Sequence, residues 1–306
     1  MNDHLKKPLV EIIVLNWNGK DDSIECLRSL SKIVYKNKII TLVDNASTDG
    51  SIEAFKGEFP TLNIIENDSN LRYAGGNNVA IKNGLKGKAS LFLILNNDTI
   101  VKDNFLDFLV KTSESDTNIG IVVPKIYYHE EMGKIWYAGG YVNFATGNIY
   151  HRGLRKTDTM GYDKREEVDY ATGCCMLIRR EVFEKIGLLD ENYFIYGEDV
   201  DFSFRATRSG YKIVYEPQSF IWHKVTSATG GGLTTFKIQH RIRSNFRFFS
   251  EYAKWYHWIT IIPIVFLRTM FFILGRVIRR DIKSVNAARK GFSDSIKNSG
   301  RANNNV

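Results

Sequence analysis

Apolar runs that stop abruptly at polar clusters recur along the first half of the chain. Residues 9–15 form one such run, ending at Asn16-Trp17-Asn18-Gly19, and residues 38–43 form another, ending at Asp44-Asn45. Residues 62–66, 91–95 and 120–123 read the same way. Between them lie stretches of helical spacing: 21–33, with Ile24, Leu27, Leu30 and Ile33 on one side, then 73–85 and 104–113. Ser47 or Thr48 is placed to cap the helix after the second run. Fully apolar strands alternating with amphipathic helices predict an α/β fold, with a mainly parallel central sheet flanked by helices.

The pattern changes at residue 126. Up to 173 the chain is rich in Tyr and Gly and lacks helical spacing, which predicts strands and loops beside the sheet. A strand is expected over 168–178, helices over 180–186 and 199–209, and two short extended pieces at 211–215 and 219–222. Beyond Gly232 helical spacing continues to about residue 298. The expected division is 1–232 for the α/β domain and 233–306 for a helical tail.

Charge separates the same two parts. Residues 224–306 hold 15 Lys and Arg against 3 Asp and Glu, a net of +12, whereas the first 223 residues carry −4. A basic tail suits a nucleic acid or an anionic membrane. The segment WITIIPIVFLRTMFFILGRVIRR decides for lipid and against nucleic acid. Pro263, Arg268 and Arg276 argue against a spanning helix, because a central Arg is costly in hydrocarbon. A helix lying in the interface, with Trp255, Tyr256 and Trp258 at the boundary, is expected instead. The three cysteines, Cys26, Cys174 and Cys175, have no metal-site spacing and read as buried free thiols of a reducing compartment. No long apolar segment precedes the first run, so no signal peptide is expected.

Four polar clusters end strands: Asn16-Trp17-Asn18, Asp44-Asn45, Asn70-Leu71-Arg72 and Asn96-Asn97-Asp98. Each alone is an ordinary turn, since Asn and Asp favour turns. In a parallel sheet all four converge on one edge, where such folds bind ligands. Neither G-x-G-x-x-G nor the P-loop pattern occurs, so a pyrophosphate here requires another device, most simply a divalent cation. A second cluster, Glu198-Asp199-Val200-Asp201, opens a helix with three acids, of which the helix dipole accounts for one. Crowded carboxylates raise one another's pKa, and one can then act as a base; Arg205 is spaced to pair with Asp201 and leave Asp199 freer. His223 ends an apolar strand and precedes a Gly-rich run suited to closing over phosphates.

The pieces IIVLNWNG, TLVDNASTDGS, ENDSNLRYAGGNN, LILNNDT, ATGCCMLIRR, YGEDVDFSFRATRSGYKI and WHKVTSATGG run in one order across residues 9–232. Together they resemble family-2 inverting glycosyltransferases of the GT-A fold, a Rossmann-like α/β architecture, and among them the rhamnosyltransferase-like group. The resemblance implies that Asp44 meets the donor's pyrimidine base, with Arg72 nearby. Leu15, Asn16 and Trp17 would flank the base and ribose, and Asn96 and Asn97 would lie near the ribose. Asp98 would bind a Mg²⁺ or Mn²⁺ ion with help from His223. Asp199 would be the catalytic base, with Glu198 and Asp201 completing the acid cluster on the acceptor side.

The implied partners are a nucleotide sugar and a glycan or polyprenyl-linked glycan acceptor, with the tail on the anionic inner face of the cell membrane. That is a cytoplasmic, peripheral protein of O-antigen, capsule or other surface-polysaccharide assembly; a homo-oligomer is compatible with it. The implied donor is dTDP-rhamnose, with UDP-galactofuranose, UDP-galactose and UDP-N-acetylglucosamine as alternatives. The family's Asp-x-Asp motif stands here as Asn96-Asn97-Asp98, one charge short. A sugar-nucleotide pyrophosphorylase would need a Gly-rich loop after the first strand, and a non-catalytic binder would not need Asp98, Asp199 and His223 together.

Overall fold

The computed structural model describes residues 7–225 and 234–302. The α/β half begins with β1 (Val10–Asn16), α1 (Lys20–Ser31), β2 (Lys38–Asp44), α2 (Ser51–Glu58), β3 (Asn63–Glu66) and α3 (Arg72–Gly84). It continues with β4 (Leu91–Asn96), β5 (Thr99–Val101), α4 (Phe105–Glu114) and β6 (Ile119–Tyr128). A Tyr- and Gly-rich section follows with β7 (Ile135–Tyr137), β8 (Gly140–Asn143), β9 (Asn148–His151) and β10 (Glu166–Glu167). Then come β11 (Cys175–Arg179), α5 (Arg180–Ile186), α6 (Glu198–Arg208) and β12 (Lys212–His223). Three helices close the chain: α7 (Thr235–Tyr252), α8 (Trp258–Ile278) and α9 (Ile282–Ala302).

The central sheet has the order β10-β12-β6-β11-β4-β1-β2-β3. β1 pairs in parallel with β2 and β4, β2 with β3, and β12 with β6. The expected mainly parallel α/β sheet is therefore present. Its central strands β1 and β4 are buried on both faces, which is why they read as unbroken apolar runs. β11 runs against both β4 and β6. This reversal matters for the site, because β11 enters the sheet from the edge at which the parallel strands end.

Several expected boundaries move, each for a local reason. The strand expected over 168–178 is β11 alone. Before it, the Ala171 N–H bonds Ser203 Oγ at 3.0 Å and the Gly173 N–H bonds Asp199 Oδ2 at 2.9 Å, so these amides serve α6 rather than a ladder. The two extended pieces at 211–222 are one strand, β12, irregular between Glu216 and Phe220 where Pro217 offers no N–H. β6 runs on through Pro124 to Tyr128, past the expected end at 123. Ser47 does not cap α2: its hydroxyl bonds Asp44, and the helix starts behind Gly50 at φ 76°. All three cysteines are free and buried, and burial pushes the Cys26 thiol up to about 12.

Candidate active site

Because β1, β2 and β4 run in register, Asn16 lies opposite Asp44, and Leu15 opposite Asn96. The loops after them form one polar network. Asn16 is fully buried and donates from Nδ2 to Asp44 Oδ1 at 2.7 Å, while its Oδ1 accepts from Ser23 at 2.8 Å. Asp44 also accepts from the Ser47 hydroxyl at 2.7 Å and amide at 2.8 Å. Asn97 joins through Ser23 at 2.8 Å. The Asn96 backbone carbonyl accepts from Thr99 Oγ1 at 2.7 Å. Asn16, Asp44 and Asn97 thus build the floor of this edge, with their side-chain polar atoms engaged within the network. Trp17, in the loop after β1, is half exposed.

Asn45, to which the resemblance assigns no role, is buried and accepts from Asn67 at 2.8 Å while donating to the Arg72 carbonyl at 3.0 Å. Gly76 is required beside it: a Cβ there would meet Leu15 Cδ1 at 2.5 Å. The Arg72 guanidinium lies 3.9 Å over the Phe194 ring, whose plane also stacks on His240 of α7 at 4.5 Å. α7 is fastened to the 190–197 loop by further bonds, from Ser244 Oγ to the Ile195 carbonyl at 3.0 Å and from Arg247 to Asp190 at 2.8 Å.

Asp98 and His223 are 125 positions apart, and strand pairing joins them. β5 runs against β12 with Thr99 opposite His223, and the Lys224 N–H bonds the Asp98 carbonyl at 2.9 Å. His223 Nε2 comes within 3.1 Å of Asp98 Oδ1, close enough for charge but without hydrogen-bond alignment. Both residues are buried. Burial is the largest single influence on the Asp98 carboxyl and pushes it up, but the neighbouring His223 and hydrogen bonds to the carboxylate together outweigh it and leave the group below its ordinary value. The Trp136 ring packs edge-on at 4.5 Å and fixes the imidazole plane. Trp136 gave no sequence signal.

Among the described residues no cluster of three or more His, Cys, Asp or Glu could hold a metal ion. Asp98 and His223 supply two donors, and Asp98 Oδ1 and His223 Nδ1 are buried without hydrogen-bond partners. Such a pair fits a divalent cation that takes its remaining ligands from a diphosphate, because oxygen-rich sites for these ions commonly share substrate phosphates.

The acid cluster sorts itself into three environments. Asp201 is buried and fully engaged: Oδ1 accepts from Tyr252 of α7 at 2.6 Å and Oδ2 from Arg205 at 2.9 Å. Glu198 is buried with Oε2 unpartnered. Asp199 is partly exposed; Oδ2 accepts the Gly173 N–H and Oδ1 the Val200 N–H, both at 2.9 Å. Burial raises the carboxyls of both Glu198 and Asp199; the Asp199 charge pushes Glu198 up further, whereas backbone amides, those of Gly173 and Val200 among them, pull Asp199 partly back. The backbone amides favour charge on Asp199, so Glu198 is the member that keeps the proton.

One short segment links the two carboxylate sites. Gly173 bonds Asp199, and the next residue, Cys174, accepts the Asn96 N–H at 2.9 Å, two residues before Asp98. The antiparallel entry of β11 puts this segment there. The surrounding backbone is strained: Asn18, Ala46, Tyr196 and Val225 in loops, and Arg72 at the start of α3, have φ between 50° and 65°. The Gly-rich loop at 226–232 lies outside the described residues.

A sequence model of the family described as glycosyltransferase like family 2 matches residues 8–247. Among curated proteins, the chain is 28% identical over 209 residues to the low-salt glycan biosynthesis hexosyltransferase of Haloferax volcanii, covering 67% of this chain and 63% of that protein. It is 26% identical over 223 residues to the N-acetylglucosaminyl-diphospho-decaprenol L-rhamnosyltransferase of Mycobacterium tuberculosis, covering 67% of this chain and 72% of that one. The fold is similar to that of a mannosyltransferase from Pyrobaculum calidifontis solved with GDP-Man and Mn²⁺. There the TM-score is 0.59 at 16% identity, over 96% of this chain and 76% of that one. The fold is thus the GT-A architecture expected from the sequence.

Proposed function

The chain belongs to glycosyltransferase family 2, and from that premise we propose that it moves a sugar from a nucleotide donor to a glycan or lipid-linked glycan, inverting the anomeric centre. The observation that carries the reading is the placement of Asp199. It is a partly exposed carboxylate aimed by the Gly173 amide, one residue away from the segment that touches the Asp98 loop. A base and a diphosphate site are thereby set apart yet held on one sheet edge.

In the reaction, the Asp199 carboxylate takes the proton of the acceptor hydroxyl. The acceptor oxygen bonds the anomeric carbon from the face opposite the leaving group, and the bond to the nucleoside diphosphate breaks with its electron pair on the departing oxygen. One base suffices, which suits a single ionised, partly exposed carboxylate beside a protonated one and does not suit a two-carboxylate retaining hydrolase. Asp98 and His223 would hold a Mg²⁺ or Mn²⁺ ion, which when bound neutralises the leaving diphosphate. Trp17 offers a face for the donor base, and the Asn16–Asp44–Asn97 floor sets the depth at which base and ribose sit.

The donor we favour is dTDP-rhamnose, supported by the mycobacterial rhamnosyltransferase among the relatives, with UDP-hexoses as the alternative. The pathway would be surface-polysaccharide assembly, and the basic C-terminal helices would keep the enzyme peripheral at the inner face of the membrane. The test is a panel of nucleotide sugars, scored for binding and slow donor hydrolysis with and without Mn²⁺. We expect tight binding only with metal and nucleotide together. Tight metal binding without nucleotide, or equal binding of all donors, would sink the reading.

A further inference from the structure

Helix α8 has two unlike faces. Ile261, Val265, Arg268 and Phe272 follow at spacings of four, three and four residues and so share one stripe. That stripe is fastened to the rest of the protein. Ile261 and Val265 pack on the tip of the β8–β9 hairpin, where a Cβ on Gly147 would meet Ile261 Cγ2 at 3.1 Å. Arg268 donates to the Thr146 carbonyl at 3.1 Å and to Asn148 Oδ1 at 3.0 Å. Phe272 packs on the small cluster of Ile238, Ala287 and Ala288 between α7 and α9.

The opposite stripe carries Ile259, Ile262, Phe266, Met270, Leu274 and Val277, all exposed. This is a contiguous apolar face of five turns, far more than scattered surface hydrophobics provide. At its amino end stand the exposed rings of Trp255 and Tyr256, and past its carboxyl end the exposed Arg279, Arg280 and Lys283. By length and composition alone Trp255–Ile278 could cross a bilayer. In this structure α8 is held to folded protein along one stripe from Ile261 to Phe272, which suits a helix lying along a surface rather than one crossing it. The aromatic rings and the cluster of cations at the ends of the apolar stripe match the chemistry of an anionic lipid surface.

The hairpin that seats α8 reaches the site. Its turn residue Phe144 packs among Phe204 of α6 and Phe248 and Phe249 of α7. Its last residue, His151, lies edge-on to Trp136 at 4.6 Å, the ring that packs on His223. The helix carrying Asp199 and the ring beside the metal pair are therefore both tied to the body on which α8 rides.

We propose that α8 lies flat on an anionic lipid surface with its Ile262–Phe266–Met270–Leu274 stripe inserted, and that its hairpin-bound stripe holds the catalytic edge in one fixed orientation to that surface. The transferase reading enters only in what the docked site meets, namely a lipid-borne acceptor; the docking itself stands or falls without it.

Co-sedimentation with vesicles of phosphatidylcholine alone, or with phosphatidylglycerol added, reads the docking directly, with no sugar transfer involved. Wild-type protein is expected to sediment with the anionic vesicles, less so as salt rises. Phe266→Glu combined with Leu274→Glu, both on the exposed stripe, is expected to lower that partition by about tenfold or more, with helicity and donor hydrolysis unchanged. The native thiols are buried, so polarity-sensitive dyes can be attached selectively to Ile262→Cys, Leu274→Cys and Ala145→Cys. Equal blue shifts at the first two and none at the hairpin site Ala145 are expected for a flat helix. Unchanged partition of the double variant would overturn the proposal. So would a dimer in solution that the double variant splits, since it would assign the stripe to a second copy. Unequal shifts at 262 and 274 would overturn the flat orientation. Loss of all transfer activity beside normal vesicle binding would count against the proposed function alone.

Discussion

Asp98 and Asp199 are aspartates at the same edge of one sheet, linked through the 173–174 segment, yet their surroundings push their carboxyls in opposite directions. Asp98 faces His223 at 3.1 Å and lies below its ordinary value. Asp199 is desolvated beside a second acid, Glu198, and lies above it. The same side chain is thus prepared for two tasks. A group kept ionised suits a cation; a group raised toward neutrality suits taking a proton, because a base works best near the operating pH. Both are desolvated, and the difference lies in what offsets burial: at Asp98 an imidazole brought by β12, with hydrogen bonds, outweighs it, whereas at Asp199 the backbone amides do not.

The sharpest way to break this comparison is Asp199→Asn. It removes the base while keeping the side chain's size, so transfer should fall by about 10³-fold or more, with donor affinity by calorimetry nearly unchanged. Wild-type turnover in this variant would remove Asp199 from the mechanism. The wild-type pH profile gives the sign: a raised carboxyl is protonated, and so inactive, below a higher pH than an ordinary aspartate. The acid limb of the rate should therefore lie above the ordinary aspartate value and should vanish with Asp199.

Asp201→Ala is next in size and tests the claim that the third acid is architectural. It would leave Arg205 and the Tyr252 hydroxyl without their buried acceptor, and removing one partner of a buried pair costs about 3 kcal/mol. Denaturant unfolding should show that loss. Loss of turnover at unchanged stability would instead move Asp201 into the chemistry.

Asp98→Ala should act on the other site. Metal-dependent binding of a nucleoside diphosphate should weaken by about 100-fold, roughly 2.7 kcal/mol, while the residual metal-free binding stays put. If Asp199→Asn and Asp98→Ala gave the same loss of donor affinity, the division between the two carboxylates would fail.

The sheet edge was legible from the sequence because strands buried on both faces show as unbroken apolar runs, and the turns that end them are polar. The partners of the candidate residues were less legible, because they come from pairings remote in sequence. His223 meets Asp98 only because β5 and β12 run antiparallel, and Gly173 meets Asp199 only because β11 reverses the direction of the sheet. The i, i+4 spacing showed Arg205 as a partner of Asp201; Tyr252, on α7, has no local signal. Asn16 and Asp44 were legible as edge residues, but not that their polar atoms bond one another. Nor could spacing reveal that one stripe of α8 is fixed and the other open, since both are mainly apolar and the hairpin acceptors of Arg268 are remote in sequence.

Glu198→Gln is the smallest change and the finest probe of the pair. Glu198 is buried, its Oε2 has no partner, and its carboxyl is raised by burial first and by the Asp199 charge second. A raised folded-state carboxyl binds its proton more tightly in the folded than in the unfolded chain. Its contribution to stability is therefore full below the ordinary glutamate value and is lost as pH rises through the folded-state value. Glutamine cannot ionise, so the variant should match wild type in mildly acidic buffer and exceed it by about 1 kcal/mol at alkaline pH, since a tenfold change in proton affinity corresponds to about 1.4 kcal/mol. Unfolding curves at the two pH values measure this. Because Glu198 already holds its proton where Asp199 titrates, the acid limb of the transfer rate should stay at its wild-type position in this variant. A limb that moves to lower pH would mean that Glu198 is ionised beside Asp199, and would reverse the assignment of the proton.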